Sequence, residues 1–380
     1  MPFDDRDFPD LPRGERAISP RSRRLVAIWL YAIAFMILVM TGLGGATRLS
    51  GSGLSIMEWA PIMGALPPLT EAEWRRLFAL YQNIPQYSLV NDGFGLEGFK
   101  HIFWLEWSHR LWGRLIGAAF LIPLIWFALT GRLDRRMIPK LVVFFILGAL
   151  QGGVGWFMVA SGFFPDATTV APVRLVLHLA LALLLYVVVL WTALSLLPPG
   201  PAVPRPGPSL RALTWATLSL VALTILAGGL VAGLRAGLTY NTFPLMDGHL
   251  MPTGYADLEP FGRNIVENIA AVQFNHRLLA SLTLLSAAGL TIVAWVPLGW
   301  RGGFAGAAAI LQYLLGVLTL LLAVPAVAGV AHQIGATILL TAVLVIARAV
   351  CPGTRYTEPP GRVIPLQRSA GLSVFEDPRP

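Results

Sequence analysis

Eight apolar runs, each roughly 20 residues or longer, decide most of what this chain can become, because ~30 Å of hydrocarbon admits helices of that length and excludes open irregular backbone. They fall at about 25–47, 102–129, 141–160, 173–197, 212–234, 269–295, 304–324 and 327–347. The last two are parted by little more than Pro325-Ala326. The 380 residues are 56% hydrophobic and 13% charged, against about 25% charged in a soluble chain, which makes this an all-α integral membrane protein with eight transmembrane helices. The net charge of +8 would suit nucleic acid if it formed a patch. It lies instead in short loops and tails between apolar runs, so the expected surroundings are membrane lipid and no nucleic acid. Cys351 is the single cysteine, which excludes an intrachain disulfide and a thiolate cluster.

Orientation follows from the basic residues. With the N-terminus in the cytoplasm, that side collects eighteen of the 28 Lys and Arg, the opposite loops hold six, and the loop 161–172 holds none. The positive-inside rule therefore puts both ends in the cytoplasm. Asp4, Asp5, Asp7 and Asp10 are unlike an acid-poor transit peptide, and the first apolar run is too long for a signal peptide. The proline- and glycine-rich stretch 198–211 reads as a linker between two four-span halves, 25–197 and 212–347, with tails at 1–24 and 348–380. In the first outer loop, Thr70-Glu71-Ala72-Glu73 is a capping-box pattern that predicts a short helix on the outer face or in a solvated loop.

Glu106-Trp107-Ser108-His109-Arg110 opens the second run and Gln273-Phe274-Asn275-His276-Arg277 the sixth. At ~100° per residue, His109 lies about 60° to one side of Glu106 and Arg110 about 40° to the other, so the three share a face. Ionisable groups at membrane depth are costly enough to mark a functional site. His109, His178, His276 and His332 fall on the second, fourth, sixth and eighth runs, within about two turns of their starts, which places all four near the outer surface. One such histidine is more often a satisfied core residue than a ligand; four at one level on alternate helices, in two equivalent pairs, favour ligation. The halves repeat elsewhere: Gly44-Gly45 with Arg48 matches Gly228-Gly229 with Arg235, and Gln151 matches Gln312. Four spans per half make the repeats parallel, related by an axis along the membrane normal, so the expected architecture is two pseudo-symmetric four-helix bundles.

Zinc prefers four close ligands, and cysteine and carboxylate are scarce here, whereas two axial histidines in an apolar bundle suit haem. Arg110, Arg114, Arg174 and Arg277 stand near the histidines for haem propionates; anchoring of lipid headgroups, or a Glu106–Arg110 pair at i,i+4, is the alternative. The halves differ chemically, since Glu106 faces the neutral Gln273 across the repeat. A carboxylate in low dielectric beside a metal site can accept a proton or act as a nucleophile, which makes the first half the reactive one; neutralising Arg110 and Arg114 is the other use for Glu106.

Taken together, several segments resemble the haem A synthase family over residues 25–350. They are Gly44-Gly45-Ala46-Thr47-Arg48-Leu49-Ser50-Gly51-Ser52-Gly53-Leu54-Ser55, Glu106-Trp107-Ser108-His109-Arg110-Leu111-Trp112-Gly113-Arg114, Gln151-Gly152-Gly153-Val154-Gly155-Trp156-Phe157-Met158-Val159-Ala160-Ser161-Gly162 and Arg174-Leu175-Val176-Leu177-His178-Leu179. The second half adds Val231-Ala232-Gly233-Leu234-Arg235-Ala236-Gly237, Asn241-Thr242-Phe243-Pro244-Leu245-Met246, the Gln273–Arg277 segment and His332-Gln333. The resemblance implies an enzyme of the bacterial inner (plasma) membrane that oxidises the C8 methyl of haem O to the formyl of haem A for cytochrome oxidase assembly, through an alcohol and a hydrated aldehyde. It implies that His109 and His178 face the substrate haem with Glu106 as the functional glutamate, that His276 and His332 hold a haem B cofactor on the periplasmic side, and that Arg48, Arg110, Arg114, Arg174 and Arg277 serve cofactor binding. Haem O synthase, oxidase assembly factors and an unidentified electron acceptor are its implied partners. Two departures stand out. The outer-loop cysteine pair of some members is missing, and Gly98 precedes Phe99-Lys100 where the family has a glutamate, so Glu97 takes no family role; His101 and His249 read as solvated or interfacial. A bis-histidine cytochrome that only carries electrons is the competing reading and gives Glu106 no special duty. A transporter fits less well, because no span is broken at its centre.

Overall fold

The computed structural model describes residues 19–203 and 205–351, which leaves most of both expected tails and residue 204 of the linker outside it. The described residues form ten α-helices: α1 (Pro20–Leu49), α2 (Glu71–Tyr81), α3 (Pro85–Val90), α4 (Leu96–Leu129), α5 (Met137–Val159), α6 (Pro172–Leu196), α7 (Pro208–Gly233), α8 (Ile269–Leu298), α9 (Trp300–Leu321) and α10 (Ala326–Val350). Eight of them, all but α2 and α3, are long and apolar enough to cross a membrane. No strand forms among the described residues beyond one isolated bridge between Met246 and His249.

Helix ends follow local chemistry. Ser19 caps α1 by accepting from the Ser22 N–H at 3.1 Å, with Pro20 in the first helical position, so the helix starts inside the stretch expected as tail. Gly299, at φ +53°, turns α8 directly into α9, a backbone state that costs glycine little. Pro325 stands immediately before α10, where a missing N–H costs nothing. Thr70 caps α2 through Glu73 N at 3.3 Å, but the capping box is half formed, because the Glu73 carboxylate turns to Arg76.

The largest departure from the hydropathy reading is α4, which begins at Leu96 rather than about 102 and runs 34 residues, ~50 Å at 1.5 Å per residue. Its first turns stand clear of the apolar span and carry an aromatic cluster, in which Tyr81 and Phe99 are fully buried, with Ile102, Phe103, Trp74 and Phe78 around them. His109 therefore sits thirteen residues into its helix, whereas His178, His276 and His332 follow their helix starts by six or seven.

Helix contacts close two rings. One runs α1–α4–α5–α6 and back to α1; the other runs α7–α8–α9–α10 and back to α7; α1 meets α10, and α6 meets α7 and α10, between them. The larger packed core fills one end of this array, opposite the aromatic cluster. It is built from Val26–Ile37 of α1, Phe120–Phe127 of α4, Leu183–Leu196 of α6, Leu290–Leu298 of α8 and Leu339–Val350 of α10. Toward the other end the even-placed helices open: no residue is buried in 107–119, 172–182, 274–282 or 326–336. All four histidines lie in those open stretches. Packing there is looser than in the core, and the imidazoles stand among partly exposed side chains.

Candidate functional site

Each imidazole leans on a glycine of the preceding long helix. A β-carbon on Gly44 would stand 3.1 Å from His109 Cε1, on Gly155 2.9 Å from His178, on Gly228 3.0 Å from His276, and on Gly316 2.7 Å from His332. Any side chain there would meet the ring, so hydrogen is the substituent that fits. These glycines lie four or five residues before the ends of α1, α5, α7 and α9, so the four rings share one level relative to the helix ends. Gly155 and Gly316 each follow a glutamine by four residues, a Gln-x-x-x-Gly spacing that a sequence search for internal repeats could have found.

Those glutamines are part of the arrangement. Gln151 Nε2 donates to the His178 main-chain oxygen at 3.0 Å and lies 3.1 Å from its Nδ1; Gln312 treats His332 the same way at 2.9 and 3.0 Å. Both glutamine Oε1 atoms are buried without a partner. His276 Nδ1 lies 3.1 Å from the Thr224 main-chain oxygen. His109 Nδ1 is buried and has no partner. No group of three or more His, Cys, Asp or Glu gathers among the described residues, so the donor set suits a metal that brings most of its own ligands.

Glu106 is 2% exposed and fully engaged. Its Oε2 accepts from Ser55 Oγ at 2.7 Å and Ile56 N–H at 2.9 Å, and its Oε1 accepts from Arg110 Nη2 at 2.5 Å. Gln273 is equally buried, and its amide N–H groups donate to the Ala236 and Thr239 main-chain oxygens at 2.8 and 2.6 Å, while its Oε1 accepts from Arg277 at 3.1 Å. The segment after α1 offers donors and the segment after α7 offers acceptors. The carboxylate and the amide thus each match their own surroundings, which sequence reasoning missed because the partners lie in loops without periodicity.

The arginines hold loops. Arg110 donates to Ile56 and Glu58 main-chain oxygens, Arg114 to those of Ala60 and Pro61, and Arg277 to those of Tyr240 and Thr242. Arg174 donates to the Phe157 main-chain oxygen and stacks 3.9 Å over its ring, and Arg48 ends α1 with the charge of Arg235 nearby. Buried donors left over are Arg114 Nη1 and Trp107 Nε1 beside the first pair of histidines and Arg277 Nε beside the second. Unmatched donors at a buried site are what an anionic ligand would satisfy. Farther out, Arg76 forks onto Glu58 at 2.8 Å twice and also binds Glu73, holding both carboxyls below their usual range. Glu97 pairs with Lys100 at 2.6 Å on the surface, His101 is exposed on α4, and His249 is exposed beside Met246.

The same pattern of residues has relatives. The chain is 59% identical over 341 residues to a protein named heme A synthase from Granulibacter bethesdensis, covering 87% of this chain and 89% of that one. It is 46% identical to heme A synthase 2 from Acidiphilium cryptum, covering 86% and 92%, and 46% identical to heme A synthase from Azorhizobium caulinodans, covering 87% and 95%. The COX15-CtaA family model, described as cytochrome oxidase assembly protein, matches residues 27–344, which takes in six of the long helices whole, most of α1 and α10, and the four histidines. This chain belongs to the COX15-CtaA family of cytochrome oxidase assembly proteins.

Proposed function

We propose that this protein is a haem A synthase, a multi-pass membrane enzyme that makes haem A for cytochrome oxidase. The observation that carries this reading is the doubled histidine arrangement: four imidazoles at one level, each opposite a glycine. Close relatives under that name share most of the chain's length.

In finer terms, the two helix rings are two pseudo-symmetric four-helix bundles, with both termini cytoplasmic and the histidine level toward the periplasmic side of a bacterial inner membrane. The basic-residue asymmetry and the two closed contact rings support this. His109 and His178 take the substrate, haem O; His276 and His332 keep a resident haem B. Bound there, haem B supplies one-electron transfer. The reaction is a double oxidation of the C8 methyl, through alcohol and hydrated aldehyde, to the formyl. The chain's own part is to grip and exclude. Arg114 and Trp107 offer unmatched donors to carboxylates of the first haem, Arg277 offers one to the second, and Gln151 and Gln312 fix the rings of His178 and His332. Arg48, Arg110 and Arg174 complete the basic border. Glu106 is the charged element that the second half lacks. Its carboxylate is the candidate proton acceptor or nucleophile once the Ser55–Ile56 turn yields one oxygen.

The test is to supply haem O to the purified protein with an oxidant and to follow the formyl by the red shift of the haem band and by extraction. Bound haem without formyl formation would leave the electron-carrier reading standing.

A further inference from the structure

The four imidazoles differ at one ring nitrogen. His178, His276 and His332 each have a hydrogen-bonding neighbour at Nδ1, and His109 has none. The cause lies in how the helix pairs are spaced. Small hydroxyl pairs join α7 to α8, Thr217–Ser286 and Thr224–Thr283, both at 2.8 Å, and bring the Thr224 carbonyl within reach of His276. Between α1 and α4 stand indoles instead: Trp29 Nε1 donates to the Ala119 main-chain oxygen and Trp112 Nε1 to that of Met36. Trp112 sits one turn beyond His109, where α8 carries Leu279 one turn beyond His276. Met40, placed before Gly44 as Thr224 is before Gly228, offers His109 no bond.

A neighbour at the second nitrogen holds an imidazole in orientation, as the Gln151 and Gln312 amides do for His178 and His332, and an acceptor there, as the Thr224 carbonyl is for His276, also makes a metal-bound ring more basic; loss of such a partner typically costs about 10–100-fold in affinity. We infer that His109 is the exchangeable ligand of the first site. On this account, which rests on the reading that both sites hold haem, the second site keeps its haem through two braced ligands. The first retains its haem through His178 and lets go on the His109 side. That asymmetry suits a site whose haem must arrive and leave.

The test uses the ferric full-length protein carrying haem B and the product haem A, whose formyl group gives it separate absorption bands. On adding cyanide, which displaces a nitrogen ligand without redox change, the haem A band should shift at about 10–100-fold lower concentration than the haem B band. Haem A should survive gel filtration in His109→Ala and be lost in His178→Ala. Equal cyanide sensitivity, an earlier shift of haem B, or retention in His178→Ala with loss in His109→Ala would overturn the inference while both haems remained measurable. A protein that bound no haem A at all would overturn the functional reading itself, and the inference with it.

Discussion

Gln333 on α10 donates from Nε2 to the main-chain oxygen of Thr41 on α1 at 2.9 Å, across the seam between the two helix rings. Gln333 follows His332 directly, and Thr41 lies one turn before Gly44, the residue that meets His109. One hydrogen bond therefore spans from the neighbour of one imidazole to the helix that backs another. Gly45 lets it form, since a β-carbon there would come within 2.5 Å of Gln333 Oε1. The glycine pair divides its work: Gly44 faces the histidine of its own ring and Gly45 faces the other ring. Gly228 and Gly229 do likewise, with Gly229 against Val176 and Leu179 of α6.

Substituting at that seam should separate stability from ligation. Gln333→Leu removes one side-chain bond, about 0.5–1.5 kcal/mol, and should lower the thermal midpoint with haem content unchanged. Gly45→Val should be much worse, because it drives a branched side chain into Gln333. Equal midpoints for the two variants would refute the close approach of α1 and α10.

Glu106→Gln keeps one oxygen for Ser55 Oγ and Ile56 N–H but turns an NH2 toward Arg110 and removes its counter-charge. Breaking a buried pair costs about 3–5 kcal/mol. The variant should lose haem A formation and some stability of the first ring, while haem at His276 and His332 remains. The converse change, Gln273→Glu, sets a carboxylate against the Ala236 and Thr239 carbonyls and should destabilise the second ring. Normal thermal unfolding of both variants would show that donors and acceptors are not matched as described.

Gly316→Ala and Gly152→Ala make a matched pair. The first puts a methyl 2.7 Å from His332 and should deplete haem from the second site, read by pyridine haemochrome. The second meets nothing within 4 Å and should be neutral or stabilising by up to about 1 kcal/mol through helix propensity. Equal haem loss in both would mean that glycine matters there for some reason other than room for the ring.

The outer loop should respond to acid. Arg76 holds the Glu58 and Glu73 carboxyls below their usual value near 4.5, so the stability they add is present above that pH and fades as pH falls through their lowered values. Both are close to half exposed, so the effect is local and screened by salt. Limited proteolysis between residues 56 and 76 should quicken below about pH 4.5, and Arg76→Gln should quicken it at neutral pH. Cleavage rates indifferent to both changes would remove Arg76 as the fastener of this loop.

Hydropathy located all eight long helices, because twenty apolar residues leave the chain few other outcomes in lipid. It shortened α4, since residues 96–101 mix Glu97 and Lys100 with Phe99, and that amphipathic turn is helical only because α2 packs on it. The histidines were legible as a doubled pattern. Their backing glycines were not, because a missing side chain matters only once a neighbouring helix is in place. The loop partners of Glu106 and Gln273 were hidden for a related reason: Ser55, Ile56, Ala236 and Thr239 belong to turns whose register no periodicity specifies.

The concentration of the larger core at the end away from the histidines bears on how such a protein is made. A scaffold whose main core lies away from the histidines can be inserted and assembled before any porphyrin reaches it, and the two sites can then be filled separately. The order of manufacture is thereby built into where the leucines are: masonry first, furnishing afterwards.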